Sequence, residues 1–322
     1  MGNHPSTWAI VLAAGAGERL RSLTTDGAGH SVPKQFCSLR GGRSLFGDAV
    51  ERARRIVPRE RIVAIVASEH RAHWERETRE LAPENVLVQP RNRGTAAGLL
   101  FPLLAIHERE QHARVLVLPS DHHVRDESVL ERSNRDALAN VELDERELVL
   151  LGVEPDAPVS DYGWIVPGAP RPGWRRPRRV AEFVEKPAEP IARDLLARGA
   201  LWNSFLLAGE VDTFLDLYAR ELPELVHAFT TALLARPALR ATFLDMLYAG
   251  IEANDVSRDV LQSAPDRLSV VSVPPCGWTD LGTPERVAQC LRDERLDARP
   301  KRLAPPEPAL VLSQALTRRG NA

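Results

Sequence analysis

The run Trp8-Ala9-Ile10-Val11-Leu12-Ala13-Ala14-Gly15-Ala16-Gly17-Glu18-Arg19-Leu20 decides the fold of this chain. Trp8–Leu12 is apolar at every position, the pattern of a strand covered on both faces, as in a parallel sheet. The small residues and two glycines that follow let the chain turn tightly at the strand's carboxyl end, where backbone N–H groups can approach an anion with no Cβ in the way. Outward from it, Leu45–Ile56 reads as an amphipathic helix, Arg61–Ala67 as a strand, Glu69–Leu81 as a helix and Val86–Val88 as a short strand. Thr95–His107 reads as a helix with Thr95 at its N-cap, and Val115–Leu118 as a strongly buried strand. This rhythm predicts an α/β fold, a mostly parallel sheet with helices on both faces, and ligand sites in the loops beyond Leu12 and Leu118.

The second half is less regular. Leu148–Val153, Trp164–Val166, Val180–Val184, Leu201–Leu207 and Leu268–Val273 read as strands, and Val211–Tyr248 carries helical periodicity. The Pro-, Gly- and Arg-rich Pro167–Arg179 reads as a solvated hairpin tip. With no internal repeat or long linker, residues 1–292 form one elaborated domain, and 293–322 a tail ending in a short helix.

Of 322 residues, 43% are hydrophobic and 27% charged, and Lys+Arg (42) nearly balance Asp+Glu (44), for a net charge of -2. That balance provides no electrostatic footprint for a nucleic acid, while leaving room for a small anion held by a few cations. Cys37, Cys276 and Cys290 are far apart and odd in number, which excludes a zinc ribbon and argues against a disulfide framework. No apolar run approaches the ~18 residues of a membrane span. The Trp8–Ala14 stretch has no preceding Lys or Arg, so a signal peptide is not expected. These features point to a soluble protein of the reducing cytoplasm. All but three of the 42 basic residues are arginine. The lysines that persist, Lys34 and Lys186 among them, mark places where a compact ammonium suits better than a planar fork.

Five segments carry chemistry. The glycine turn lacks the third glycine of a dinucleotide fingerprint, where Leu20 stands, and lacks a Gly-Lys-Ser/Thr P-loop. It does place Arg19 fifteen residues before Lys34 of Pro33-Lys34-Gln35, so both cations can converge on one polyphosphate. Taken alone, two glycines also suit a plain strand-to-helix turn. Asp121 of Pro119-Ser120-Asp121-His122 stands where a sheet binds ligands and suits Mg²⁺ shared with substrate phosphates, or caps the next loop. His122 and His123 read as structural. Asp280 of Gly277-Trp278-Thr279-Asp280-Leu281-Gly282 follows another apolar strand, as a second metal carboxylate or as a cap for the helix starting at Pro284. Phe183-Val184-Glu185-Lys186-Pro187 and Trp202-Asn203-Ser204 are, each by itself, ordinary strand ends.

In this order, the segments resemble the sugar-1-phosphate nucleotidyltransferases, most closely the mannose-1-phosphate guanylyltransferases, whose patterns read LxGGxGTRLxPL…PKQF, EPxGRNTAPA, LPADH, YGYI, FxEKP, WNSG and GWxDxG. Gln89-Pro90-Arg91-Asn92-Arg93-Gly94-Thr95-Ala96-Ala97 and Asp161-Tyr162-Gly163-Trp164-Ile165 extend a match that runs roughly from Trp8 to Pro284. The resemblance implies a Rossmann-like nucleotidyltransferase fold and the reaction NTP + sugar-1-phosphate → NDP-sugar + pyrophosphate, with GTP and mannose-1-phosphate the first choice. It implies Mg²⁺ on Asp121 and Asp280, and Arg19 and Lys34 as the catalytic cations. The nucleotide falls to Ala13, Ala14, Gly15, Gly17, Gln89, Gly94 and Thr95, and the sugar phosphate to Gly163, Glu185, Lys186 and Asn203. A homodimer is common in the resembled group.

Departures are Ala14 for glycine, Glu18 for threonine close to the triphosphate, Gln89 for glutamate, and an altered acidic pattern over Asp255–Gln262. Two rival readings follow. One is a catalytically silent, NDP-sugar-binding regulatory paralogue; the other is the same chemistry on heptose- or glucose-1-phosphate.

Overall fold

The computed structural model describes residues 6–25, 29, 31–144, 146–171 and 177–296. The opening run forms β1 (Thr7–Ala13), and its residues alternate between the two faces of one sheet. Trp8 and Ile10 point into one core, and Ala9, Val11 and Ala13 into the other. That alternation is the period of two that a strand imposes, here with both faces covered.

The strands are β2 (Ile62–Ala67), β3 (Val86–Gln89), β4 (Arg114–Pro119), β5 (Leu148–Val153), β6 (Gly163–Pro167), β7 (Arg178–Glu185), β8 (Leu201–Glu210) and β9 (Leu268–Val273). Their order in the sheet is β3-β2-β1-β4-β8-β5-β9-β7-β6, with β6 also pairing to β8. β3, β2, β1 and β4 are parallel, β8 enters antiparallel to β4, and β5 and β9 are parallel to each other. The fold is the mixed, mostly parallel α/β sheet that the sequence predicts.

One face is covered by α4 (Gly94–His107), α7 (Val211–Glu221), α8 (Pro223–Leu233) and α9 (Pro237–Gly250). α2 (Leu45–Arg54), α3 (Arg71–Glu77) and α5 (Glu127–Val141) cover the other. α1 (Arg21–Thr24), α6 (Glu189–Ala197) and α10 (Pro284–Leu296) complete the helices, with a π-helical turn at Val256–Leu261. The expected helical stretch Val211–Tyr248 is three helices. Pro223 and Pro237 each open a new one, because proline lacks the N–H that a continuing helix requires but fits its first turn.

α5 was not expected. Its buried side includes Ser133, Asn134 and Asn140 among the apolar residues, which hides the hydrophobic stripe, while Asp126 caps it by accepting from Ser128 and Val129 N–H. Nor was α6, whose nine residues bury only Ala192 and Leu195. Thr95 is not the N-cap of α4. Arg93 holds that position, and Thr95 Oγ1 instead accepts from Val256 N–H at 2.8 Å, tying α4 to the π-helical turn. α10 runs to Leu296, and the predicted tail beyond it lies outside the described residues.

Candidate active site

A cavity of about 390 Å³ opens along the carboxyl ends of the parallel strands and extends to β6, β7 and β8. Ala14, Gly15, Gly17 and Arg19 line it from the glycine turn, Gln89, Gly94 and Thr95 from β3 and α4, and Asp121 and Asp280 from two loops. Gly163, Glu185, Lys186 and Asn203 line its far end. The chain therefore brings together residues up to 268 positions apart, Leu12 to Asp280. Ala13 is not in the wall. Its methyl is buried in the core and its carbonyl accepts from Gln35 Nε2 at 3.0 Å. Lys34 lies just beneath the wall.

The glycine turn is shaped by its neighbours. Gln35 Nε2 also bonds Gly15 O at 2.8 Å, pinning the turn from below. Gly17 has φ 65°, and a Cβ there would stand 3.0 Å from Lys34 N, so glycine is required on both counts. Glu18, expected close to a triphosphate, faces outward and pairs with Arg21 at 3.5 Å.

Lys34 links the two carboxylate loops. Its Nζ is 2.7 Å from Asp121 Oδ2 and donates to Asp280 O at 2.5 Å, with only 6% of the side chain exposed. Burial pushes the Asp121 carboxyl up, but the Lys34 and His122 charges and the Lys34 hydrogen bond outweigh it and hold Asp121 at about 2. Asp280 Oδ1 accepts from Tyr162 OH (2.7 Å), Gly282 N–H (2.9 Å) and Arg286 Nη1 (2.9 Å), while Oδ2 is 3.6 Å from Arg19 Nη2. Burial again opposes ionisation, and the Tyr162 hydroxyl with the surrounding cations keeps Asp280 below the usual carboxylate value. Asp280 thus does not cap α10; Thr283 does, its Oγ1 accepting from Arg286 N–H at 3.3 Å.

At the far end Gly163 sits opposite Glu185 in register, and a Cβ on Gly163 would come within 2.5 Å of Glu185 Oε2. Burial raises the Glu185 carboxyl, offset in part by Lys186, whose Nζ is 3.1 Å away. The altered Asp255–Gln262 segment reaches this end as well. Asp255 and Ser257 line the cavity, and Gln262 Oε1 accepts from Glu185 N–H at 2.7 Å.

Several residues here were given no functional role from the sequence. His122, read as structural, lines the cavity and packs edge-on against Trp278 at 5.3 Å. Arg286 stacks over Tyr162 at 4.3 Å while bonding Asp280. Asp161 pairs with Arg19 at 3.4 Å. The sequence signal for Asp161 and Tyr162 was their place directly before Gly163; Arg286 had none. Buried Gln89 Oε1, His122 Nδ1 and Trp278 Nε1, all on residues that line the cavity, have no hydrogen-bond partner among the described residues.

The nucleotidyl transferase family profile matches residues 8–295, nearly the whole chain. The chain belongs to the nucleotidyl transferase family. Among curated relatives, the mannose-1-phosphate guanylyltransferase of Escherichia coli (strain K12) is 29% identical over 283 residues, covering 85% of this chain and 57% of its own length. The alginate biosynthesis protein AlgA of Pseudomonas fluorescens is 28% identical over 278 residues, with 85% and 56% covered. This family member therefore spans little more than half the length of those relatives. A crystal structure described as a mannose-1-phosphate geranyltransferase from Thermus thermophilus superposes with a TM-score of 0.75 at 29% identity, over 89% of this chain and 79% of that one. Among the described residues no helix is long and apolar enough to cross a membrane.

Proposed function

We propose that this family member transfers a nucleotidyl group from a nucleoside triphosphate to a sugar-1-phosphate, releasing pyrophosphate, with GTP and mannose-1-phosphate as its substrates and the cytoplasm as its place. The observation that carries the reading is the single cavity in which the glycine turn, the Asp121–Lys34–Asp280 cluster and the Glu185–Lys186–Asn203 end meet. The choice of GTP and mannose-1-phosphate rests on the names of the relatives.

A sugar-phosphate oxygen attacks the α-phosphorus in line, a new P–O bond forms, the α–β bridging bond breaks and pyrophosphate leaves with the electron pair. The attacking phosphate is already anionic at neutral pH, so no general base is needed, and catalysis consists of alignment and charge neutralisation. In this reading the turn from Ala14 to Gly17 cradles phosphates, Ala13 supporting it from the core, and Gln89, Gly94 and Thr95 receive the base. Arg19 and Lys34 neutralise the α-phosphate and the leaving group. Lys186 holds the sugar phosphate, and Gly163, Glu185 and Asn203 read the sugar.

The donor set fits Mg²⁺. Asp121 and Asp280 are hard oxygen donors kept ionised, and Asp280 turns Oδ1 to its own scaffold while Oδ2 stays on the Arg19 side. With two protein carboxylates, the rest of the ion's shell would be completed by phosphate oxygens and water. When bound, Mg²⁺ neutralises phosphate charge. The test is pyrophosphate release with Mg²⁺ from four NTPs against mannose-, glucose- and heptose-1-phosphate. Release with GTP and mannose-1-phosphate alone supports the full reading, and another active pair overturns only the substrate choice. No release from a folded protein that binds GDP-mannose identifies a silent regulatory paralogue. Sedimentation tests the accompanying proposal of a homodimer.

A further inference from the structure

Strand β8 is interrupted where it passes the cavity. Asn203 pairs with Gly152 and Leu207 with Leu150, so Ser204, Phe205 and Leu206 together face the single residue Leu151. Side chains replace the lost ladder. Ser204 Oγ donates to Leu151 O at 2.5 Å, Leu206 N–H donates back to Ser204 Oγ at 3.3 Å, and Phe205 N–H donates to Asn203 Oδ1 at 3.1 Å. Asn203 Nδ2 reaches Ser257 Oγ at 3.3 Å. Bulges beside a site re-aim side chains in this way.

Within the bulge Phe205 takes φ 57°, a left-handed conformation that costs any residue with a Cβ and that glycine adopts freely. The resembled WNSG pattern has glycine at this position. Here a phenylalanine stands instead, partly buried against the core and lining the cavity. A strained residue kept at a cavity wall, where its ring is not fully buried, points to work done by the side chain. β8 pairs with β5 and β6 on the side away from β1, β2 and β3, whose Leu12, Ile65 and Gln89 also line the cavity. Phe205 therefore belongs with Asn203, Gly163 and Glu185.

We infer that Phe205 is a specificity-determining residue for the glycosyl half of the substrate, its ring forming an apolar platform for one face of a pyranose. Its own N–H fixes the Asn203 amide beside that platform. The inference rests on the reaction proposed above for this cavity. It accounts for the strain: a glycine would relax the backbone and remove the platform. Sugar C–H groups resting on an aromatic face gain attraction beyond area burial, as aromatic pairs do.

Calorimetry with GDP-mannose and with GDP tests it, on the wild type, Phe205→Leu and Phe205→Tyr. Phe205→Leu is expected to weaken GDP-mannose binding about 2- to 10-fold and to leave GDP unchanged, with Phe205→Tyr close to wild type. In turnover the KM for the sugar-1-phosphate rises and that for GTP does not. If Phe205→Leu fails to fold, Phe205→Gly, which relieves the left-handed backbone, is read in its place. Equal weakening of GDP and GDP-mannose puts the ring under the nucleotide and overturns the inference, as does no change in either. A wild type that binds both ligands but releases no pyrophosphate defeats the proposed reaction and leaves this comparison valid. A wild type that binds neither ligand overturns both.

Discussion

Replacing Lys34 tests the centre of the site. Removing one partner of a buried ion pair costs about 3–5 kcal/mol when the other charge stays buried. Lys34 is buried, but 40% of the Asp121 side chain is exposed, so its carboxylate rehydrates when the ammonium is lost. The loss of folding stability is therefore expected to be smaller, about 1–2 kcal/mol. The effect on turnover is expected to be larger. Removing one preorganised donor from a site of developing charge costs about 10²–10³ in kcat, or about 3–4 kcal/mol. Lys34→Met keeps most of the stem's volume while deleting the charge, so it separates chemistry from packing. Lys34→Arg is not expected to rescue, because the wide guanidinium must replace a head seated between Asp121 and Asp280 O, on a backbone packed against Gly17. Urea unfolding and steady-state pyrophosphate release on the same preparations give the two numbers. Turnover of Lys34→Met within about 3-fold of wild type, set against the 10²-fold expectation, would refute the assignment.

Two further outcomes follow from the geometry. Gly94 has φ 81° and a Cβ there would stand 2.1 Å from Asn254 O, so Gly94→Ala is expected to cost about 2 kcal/mol or more and to loosen the start of α4 from the segment before Val256, read by thermal unfolding and by a raised KM for the nucleotide. Burial, opposed by the Ser44 hydroxyl and reinforced by Asp48, pushes the Glu77 carboxyl up to about 7. Its folded value lies above its unfolded one, so the stability it contributes is full below about pH 4.5 and is lost as pH rises through about 7. That loss amounts to about 3 kcal/mol, and denaturation of Glu77→Gln at pH 5 and pH 8 should show a flatter pH dependence than wild type; parallel curves would contradict it.

The legibility of the site divides along physical lines. The glycine turn follows β1, Asp121 follows β4, Glu185 closes β7 and Asn203 is third in β8, and a strand's apolar run with its break is a local signal. Asp280, by contrast, lies seven residues past β9. Lys34 stood out because lysine is rare here, but its bond to Asp121 joins positions with no local relation. Thr95 has the side chain of an N-cap, and only the approach of Val256 redirects its hydroxyl. α5 escaped notice because buried polar residues interrupt its stripe, and a packed environment can satisfy them where a sequence pattern cannot show it.

By itself, then, the sequence determined the alternation of strands and helices, the parallel core and the loops where chemistry gathers, because periodicity, glycine and proline act over a few residues. Tertiary structure alone decided that β8 enters antiparallel between β4 and β5, that Arg286 and Tyr162 claim one oxygen of Asp280, and that Phe205 is bent into a left-handed bulge at the cavity. These depend on strand pairing and side-chain contacts between distant positions. The free energy that fixes them is shared among residues whose proximity does not exist until the chain has folded.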